Sequence, residues 1–174
     1  MPKIYTKTGD KGSTTLYDMS RVSKADSIFD ILGGLDELNV YIGKLCVFVP
    51  VDTFLREIQR KLLDIGSDFA TPASNKREKI VEISEADIKA LEDKIDMMES
   101  KLPKLTVFVL PGVALNDVAA HEARVCCRKV EREAWRIRDK VGYVKDETFR
   151  YLNRLADFFF VYERYLSCGK EIRR

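Results

Sequence analysis

The chain has 174 residues, enough for one domain with a substantial core, and 45% of them are hydrophobic, as in an ordinary globular protein. Lysine and arginine number 30 against 28 acidic residues, so the net charge of +2 gives no overall electrostatic reason to expect nucleic acid or a membrane surface as a partner. The N-terminus has no apolar signal region, and no apolar run approaches the roughly 18 residues of a membrane span. We therefore expect a cytoplasmic protein with neither kind of partner, and the matrix of an organelle, after removal of a presequence, is the alternative location.

The first informative segment is the N-terminal loop, residues 5–15, which contains two glycines, four threonines, a serine and two lysines. Glycine lets backbone approach a ligand closely, and amides, hydroxyls and lysines can converge on an anion. The pattern predicts a phosphate-binding loop, although its spacing is not that of a Walker A motif. An ordinary polar N-terminal arm is the alternative interpretation.

Apolar residues at helical spacing predict five helices over the rest of the chain. A capping box is predicted at Ser23 with Asp26, and another at Ser84 with Asp87. Residues 105–110 are apolar, but no partner strand is evident, so we interpret them as a connection ending at Pro111-Gly112. The predicted helices cover approximately residues 23–49, 52–70, 84–101, 116–141 and 146–168. The sequence thus predicts an all-α five-helix bundle, as a single domain over residues 1–174, with an ordered N-terminal loop.

Cysteine and histidine give little reason to expect a metal centre held by protein side chains. There is one histidine, His121, and no C-x-x-C spacing. We interpret the four cysteines as small apolar residues of a protein in a reducing compartment, and we predict no metal-ligating set. They are Cys46, Cys126, Cys127 and Cys168.

The fourth predicted helix carries a charged face beside its apolar stripe. At 100° per residue the members of this face fall within a sector of about 100°. A solvated surface explains such a face, but its position at the border of the core favours partial burial, which would require acids from other helices or a polyanionic ligand. The residues of the face are His121, Arg124, Arg128, Glu131 and Arg132.

Other polar and aromatic positions each admit two interpretations. Asp36 lies among apolar neighbours in the first helix, as a structural tie to an arginine or as part of a site. Asn153 and Asp157 lie one turn apart in the fifth helix, as surface residues or as ligand contacts. Phe108 is either a core aromatic or a ligand contact. Without further comparison, the residues predict a bundle that holds a phosphate-rich ligand between the N-terminal loop and the arginine face, with no reaction specified.

Six separated blocks occur in order along nearly the whole chain: residues 5–12, 21–24, 35–39 with 42–43, 108–112, 124–132 and 151–157. Together they resemble the ATP:cob(I)alamin adenosyltransferases of the propanediol-utilisation type. The resemblance implies a five-helix homotrimer with active sites between subunits. It implies transfer of the 5′-deoxyadenosyl group of ATP to reduced cobalamin, with Mg²⁺ and release of triphosphate, and transient contact with a reductase or an adenosylcobalamin-dependent enzyme.

The family's functional positions can be carried onto matching residues of this sequence. Asp36 and Arg124 match an inter-subunit ion pair near the corrinoid, and Arg128 matches a catalytic nucleotide contact. Phe108 matches an aromatic residue that excludes a lower axial cobalt ligand. The matched nucleotide-binding positions are Thr6, Lys7, Thr8, Gly9, Thr14, Thr15, Lys24, Arg128, Lys129, Glu131, Arg132 and Asn153.

Three departures from the family pattern leave the assigned residues in place. Pro111-Gly112-Val113 replaces a Pro-Gly-Gly run, Lys129 replaces a more usual arginine, and Leu32-Gly33-Gly34 stands where Tyr-Gly-Thr is common. Two competing functions stay open at this point. One is a different nucleotide-dependent transferase, and the other is a non-catalytic helical adaptor whose arginine face binds an acidic partner.

Overall fold

Five α-helices dominate the computed structural model, which describes residues 5, 7–72, 77–106, 108–170 and 172–173. This observation confirms the predicted all-α five-helix bundle. Within the described ranges, no helix is both long enough and apolar enough to cross a membrane. The helices are Ile28–Phe48 (α1), Thr53–Phe69 (α2), Glu85–Glu99 (α3), Leu115–Arg136 (α4) and Asp146–Leu166 (α5), with a 3₁₀ turn at Arg77–Lys79.

Helix α4 lies at the centre of the packing, in contact with α1 and α5, while α2 packs on α1 and α3 packs on α5. Small buried side chains on α4, including Ala119, Ala123 and Ala134, allow these close approaches. Gly34 of α1 serves the same purpose, because a Cβ there would lie 2.9 Å from a methyl carbon of Val130. Packing of α1 and α5 against the apolar stripe of α4 therefore fixes the orientation of the charged face beside it.

Two helix boundaries, the start of α1 and the end of α4, differ from the predicted ones by more than two residues. Helix α1 begins at Ile28 because Ser23 belongs to a strand, and Asp26 Oδ1 instead accepts a hydrogen bond from the Ile28 amide at 3.0 Å. The predicted Ser23–Asp26 capping box was therefore wrong, whereas the Ser84–Asp87 box is present. Helix α4 ends at Arg136, five residues before the predicted end, and the next residues form turns.

Four short strands complete the fold as two antiparallel pairs: Ser13–Thr15 (β1) with Arg21–Ser23 (β2), and Val109–Leu110 (β3) with Ile172–Arg173 (β4). The expectation that residues 105–110 lack a partner strand was wrong, because β4 near the C-terminus pairs with β3. This pairing fixes the connection immediately after Phe108.

The cysteines form no disulfide in the part of the chain that the structure describes. Cys46, Cys126 and Cys127 are buried, as expected for small apolar residues, but Cys168 is exposed. Burial raises the pKa of Cys126 to about 11, and burial also raises that of Cys127. These two thiols beside the α4 face are therefore protonated at neutral pH and unsuited to nucleophilic catalysis.

Candidate active site

The described part of the N-terminal loop contacts the β1–β2 hairpin. The guanidinium group of Arg21, on β2, donates hydrogen bonds to the Thr8 carbonyl at 3.2 Å and to Ser13 Oγ at 2.7 Å. Thr14 and Thr15 lie in β1 opposite this arginine's strand. Thr6 lies outside the described residues. The hairpin thus holds the segment that sequence analysis assigned to phosphate binding.

Backbone conformation and charge within the loop also fit an anion. Lys7 and Gly12 have φ values of 59° and 77°, in the left-handed region. The Lys24 amide donates to the Gly12 carbonyl at 2.9 Å, and a Cβ on Gly9 would lie 3.2 Å from Lys24 Nζ. Glycine at position 9 therefore lets the Lys24 ammonium group lie against the loop backbone, where it adds positive charge.

A second polar region, the arginine groove, lies between α4 and α5 and encloses about 560 Å³. Asn153 Nδ2 on α5 donates to Glu131 Oε1 on α4 at 3.1 Å, so a hydrogen bond between two lining residues joins the two helices. The guanidinium groups along it face a space that a polyanion could occupy. The groove is lined by Arg128, Glu131, Arg132, Trp135, Arg136 and Asn153.

A cavity of about 580 Å³, the aromatic cavity, lies next to the arginine groove. Phe108 enters it from the connection before α4 with 82% of its surface exposed. Two other lining residues contact each other, because the Arg124 guanidinium lies 5.4 Å from the centre of the Phe160 ring. The lining residues are Leu105, Thr106, Phe108, Val109, His121, Arg124, Arg128, Ala156, Asp157, Phe160 and Glu163. A large ligand with an apolar surface and polar edges fits such a lining.

Arg128 lines both the arginine groove and the aromatic cavity. A polyanion in the groove and a second ligand in the cavity would therefore meet at one guanidinium group. This adjacency is the property that a transfer reaction between two bound molecules requires.

A buried carboxyl lies in the wall of the aromatic cavity. Glu163 is 6% exposed, and its Oε2 lies 2.9 Å from His121 Nδ1. Burial raises the pKa of Glu163, while the charges of His121 and Arg124 act in the opposite direction. His121 is thus fixed by a carboxyl in its own chain, which supports the interpretation of His121 as a hydrogen-bonded helix residue rather than a metal ligand.

Asp36 and Lys129 line neither cavity, and the same is true of Lys24 and of the described residues of the N-terminal loop. Asp36 lines a separate groove of about 270 Å³ between α1 and α2, so one chain does not place it in the cavity of Arg124. Lys129 Nζ forms an ion pair with Glu37 Oε2 on α1 at 3.0 Å, and this hydrogen bond raises the pKa of Lys129. A direct nucleotide contact by Lys129 would require that exposed ion pair to open.

Sequence reasoning did not identify Arg21, Trp135 or Arg136 as site residues. Arg21 belongs to a quoted block, yet its contact with the loop depends on the β1–β2 pairing. Arg136 continues the i, i+4 spacing of Arg128 and Arg132, and Trp135 lies three residues after Arg132, so helical spacing could have revealed both. None of the described parts of the chain brings together three or more His, Cys, Asp or Glu side chains in a metal-binding group.

Comparison with known proteins identifies the family. The cobalamin adenosyltransferase family model matches residues 4–166. The corrinoid adenosyltransferase of Bos taurus is 38% identical, with 96% of this chain and 72% of that protein covered. The corrinoid adenosyltransferase of Mycobacterium bovis is also 38% identical, with 94% and 88% covered.

Solved structures agree with these sequence matches. A phenylalanine-to-alanine variant of the PduO-type ATP:corrinoid adenosyltransferase from Lactobacillus reuteri, complexed with cobalamin and ATP, superimposes with a TM-score of 0.92. It is 31% identical, and 99% of each chain is covered. The fold, the ordered loop and the two adjoining cavities accompany a family match over nearly the whole chain, and the chain belongs to the cobalamin adenosyltransferase family.

Proposed function

We propose that this protein transfers the 5′-deoxyadenosyl group of ATP to the cobalt of reduced corrinoid, cob(I)alamin, which forms adenosylcobalamin and releases triphosphate. The observation that carries the proposal is the position of Arg128 on both the arginine groove and the aromatic cavity. The relatives are corrinoid adenosyltransferases, and the Lactobacillus reuteri enzyme has been solved with both cobalamin and ATP. A non-catalytic adaptor is not favoured, because it requires neither the loop nor the second cavity.

The reaction places specific demands on the protein. The electron pair of Co(I) forms a bond to C5′ of ATP, the C5′–O5′ bond breaks, and its electron pair leaves on triphosphate, so that cobalt becomes Co(III). No proton moves at the carbon centre, so no general base is required. The protein must align C5′ with cobalt and stabilise the charge on the leaving oxygen, and Arg128 lies where it can serve both purposes.

Mg²⁺ belongs to the proposal as a partner of the triphosphate. Such an ion is commonly held by substrate phosphates with one or two carboxylates, which fits a chain whose described residues contain no larger ligand cluster. Glu131 is the carboxylate that lines the arginine groove and is the residue we assign to this role. The ion would supply additional charge neutralisation at the phosphates.

We further propose a homotrimer with active sites shared between subunits. Asp36 lies in one groove of the chain and Arg124 in a different cavity, and the arginine groove is lined by α4 and α5 without the N-terminal loop. A neighbouring subunit would supply the missing half of each site. Scattering should give about three times the 20.0 kDa chain mass, and an active monomer would contradict a shared site.

A mixing experiment tests the sharing itself. Chains with Lys24→Ala and chains with Arg128→Ala should each have low activity. After an equimolar mixture of the two is unfolded and refolded, about a quarter of all sites, or one site in each mixed trimer, should contain an intact loop from one chain and an intact arginine face from the other. No recovery in verified mixed trimers would place both elements of a site in the same subunit.

The proposal treats residues 1–174 as one catalytic domain, supported by a family match that extends from residue 4 to residue 166. It places the protein in the cytoplasm, in agreement with the absence of disulfides among its cysteines in the described structure. The proposal also includes transient contact with a reductase or with an adenosylcobalamin-dependent enzyme, because Co(I) must be generated and adenosylcobalamin must be used.

The activity is tested with ATP, Mg²⁺ and chemically reduced cobalamin, by following the cob(I)alamin absorbance. The absorbance should decay in the presence of ATP and persist without it. Arg150→Ala is a suitable control variant, because Arg150 forms its ion pair with Glu85 on α3, away from both cavities. An ATP-dependent reaction on another acceptor, with cob(I)alamin unchanged, would contradict the proposal.

A further inference from the structure

The far end of the arginine groove carries two residues that the proposed reaction has not used. Trp135 is 54% exposed, and its ring lies 4.9 Å from the ring of Phe149, which is buried. Arg136 follows it and forms an ion pair with Glu133 one turn earlier on α4. The indole is thus packed against a buried ring, and both Trp135 and Arg136 line the groove.

The two ends of the groove differ, because Arg128 at one end also lines the aromatic cavity and Arg136 at the other end does not. The helical rise places the Cα atoms of these two arginines about 12 Å apart along α4, with Arg132 midway. Trp135 and Arg136 therefore mark the end that is remote from the second ligand.

The reaction geometry determines which end of the groove each phosphate of ATP would occupy. Displacement at C5′ requires the leaving group to lie opposite the attacking atom, so triphosphate must extend away from a nucleophile held in the aromatic cavity. The α-phosphate then lies nearest Arg128, and successive phosphates lie nearer Arg132 and Arg136.

We infer that Trp135 and Arg136 form a terminal-phosphate subsite, through which the enzyme selects nucleoside triphosphates over diphosphates and retains the inorganic triphosphate product. This inference rests on the proposed function for the orientation of ATP. Arg136 contributes a charge-assisted contact to the third phosphate, and the indole N–H of Trp135 is a further donor beside it. Opening the exposed Arg136–Glu133 pair costs little, since such pairs contribute little to stability.

Trp135 is the single tryptophan of the chain, so its fluorescence reports directly on this end of the groove. The experiment titrates the full chain with AMP, ADP, ATP and inorganic triphosphate in the presence of Mg²⁺ and without corrinoid. Fluorescence should change with ATP and inorganic triphosphate. An unchanged signal at saturating inorganic triphosphate, with binding shown by calorimetry, would overturn the subsite.

Arg136→Gln provides the decisive comparison. It should raise the Kd for ATP and for inorganic triphosphate about tenfold, raise that for ADP about twofold at most, and leave that for AMP unchanged. Arg136→Lys should recover part of the loss. Arg150→Gln is the matched control, an exposed arginine whose ion pair lies outside the groove, and it should change no Kd.

Equal losses of affinity for ATP, ADP and AMP would contradict the inference. A loss of affinity for the adenine nucleotides without a loss for inorganic triphosphate would also contradict it, because stacking of adenine on Trp135 predicts that result. These titrations contain no corrinoid. A protein that ranks phosphates as expected but fails to adenosylate cob(I)alamin would refute the proposed function and retain the subsite, and the reverse result would refute the subsite alone.

Discussion

Phe108→Ala separates a structural role for this aromatic from a role in the reaction. Phe108 is 82% exposed, so less than a fifth of its surface depends on the protein interior. A fully buried phenylalanine costs about 3–5 kcal/mol when replaced by alanine, and scaling by burial leaves under ~1 kcal/mol here. For a chain of this size the melting temperature should fall by less than about 4 °C.

The family resemblance predicts that Phe108→Ala slows adenosyl transfer that starts from Co(II) much more than transfer that starts from Co(I). If the Phe108 ring excludes a lower ligand from cobalt, its loss stabilises Co(II) against reduction. Transfer that starts from enzyme-bound Co(II) and a mild reductant should slow at least about tenfold, or ~1.4 kcal/mol. Transfer from Co(I) generated beforehand should slow less, because that state binds axial ligands weakly.

Leu110→Ala is the matched control for this experiment. Leu110 lies two residues later in the same connection, is half-exposed, and does not line the aromatic cavity. It should leave the ratio of the two transfer rates unchanged. Equal losses in both assays for Phe108→Ala, with a lowered melting temperature, would refute the exclusion role.

Three further predictions follow from the described contacts. Arg128→Ala should retain the fold, since the side chain is exposed, and slow transfer about 10²–10³-fold, or ~3–4 kcal/mol; near-normal turnover at saturating ATP would exclude its role. Asp36→Asn and Arg124→Ala should be non-additive in corrinoid KM, and strict additivity would mean that they act independently. Arg77→Gln removes the guanidinium 2.6 Å from buried Asp68 and should cost ~3–5 kcal/mol in denaturant unfolding; a loss below ~1 kcal/mol would contradict this reading.

The bundle and the arginine face could be predicted because both depend on local periodicity. Helices α2, α3 and α5 match their predicted bounds within two residues, and the adjacency of Arg128 and Arg132 follows from one turn of helix. The same argument places Glu131 beside Asn153 only after α4 and α5 are known to pack together.

Features that depend on distant pairing could not be predicted. Strand β4 pairs with β3 although more than sixty residues of sequence separate them, and no local pattern predicts a two-residue strand. The start of α1 moved because pairing between β1 and β2 outweighed a capping motif that the residues also permit. Asp36 and Arg124 line different cavities of the chain, so helical periodicity alone could not predict a contact between them.

Product analysis tests the central claim most directly. The wild-type protein is incubated with limiting ATP, Mg²⁺ and excess cob(I)alamin, and both products are quantified by chromatography. We predict adenosylcobalamin and intact inorganic triphosphate in equal amounts, with neither formed by Arg128→Ala on the same timescale. Formation of ADP and phosphate, or of pyrophosphate, with cobalamin left without an adenosyl group, would contradict displacement at C5′ and with it the proposed function.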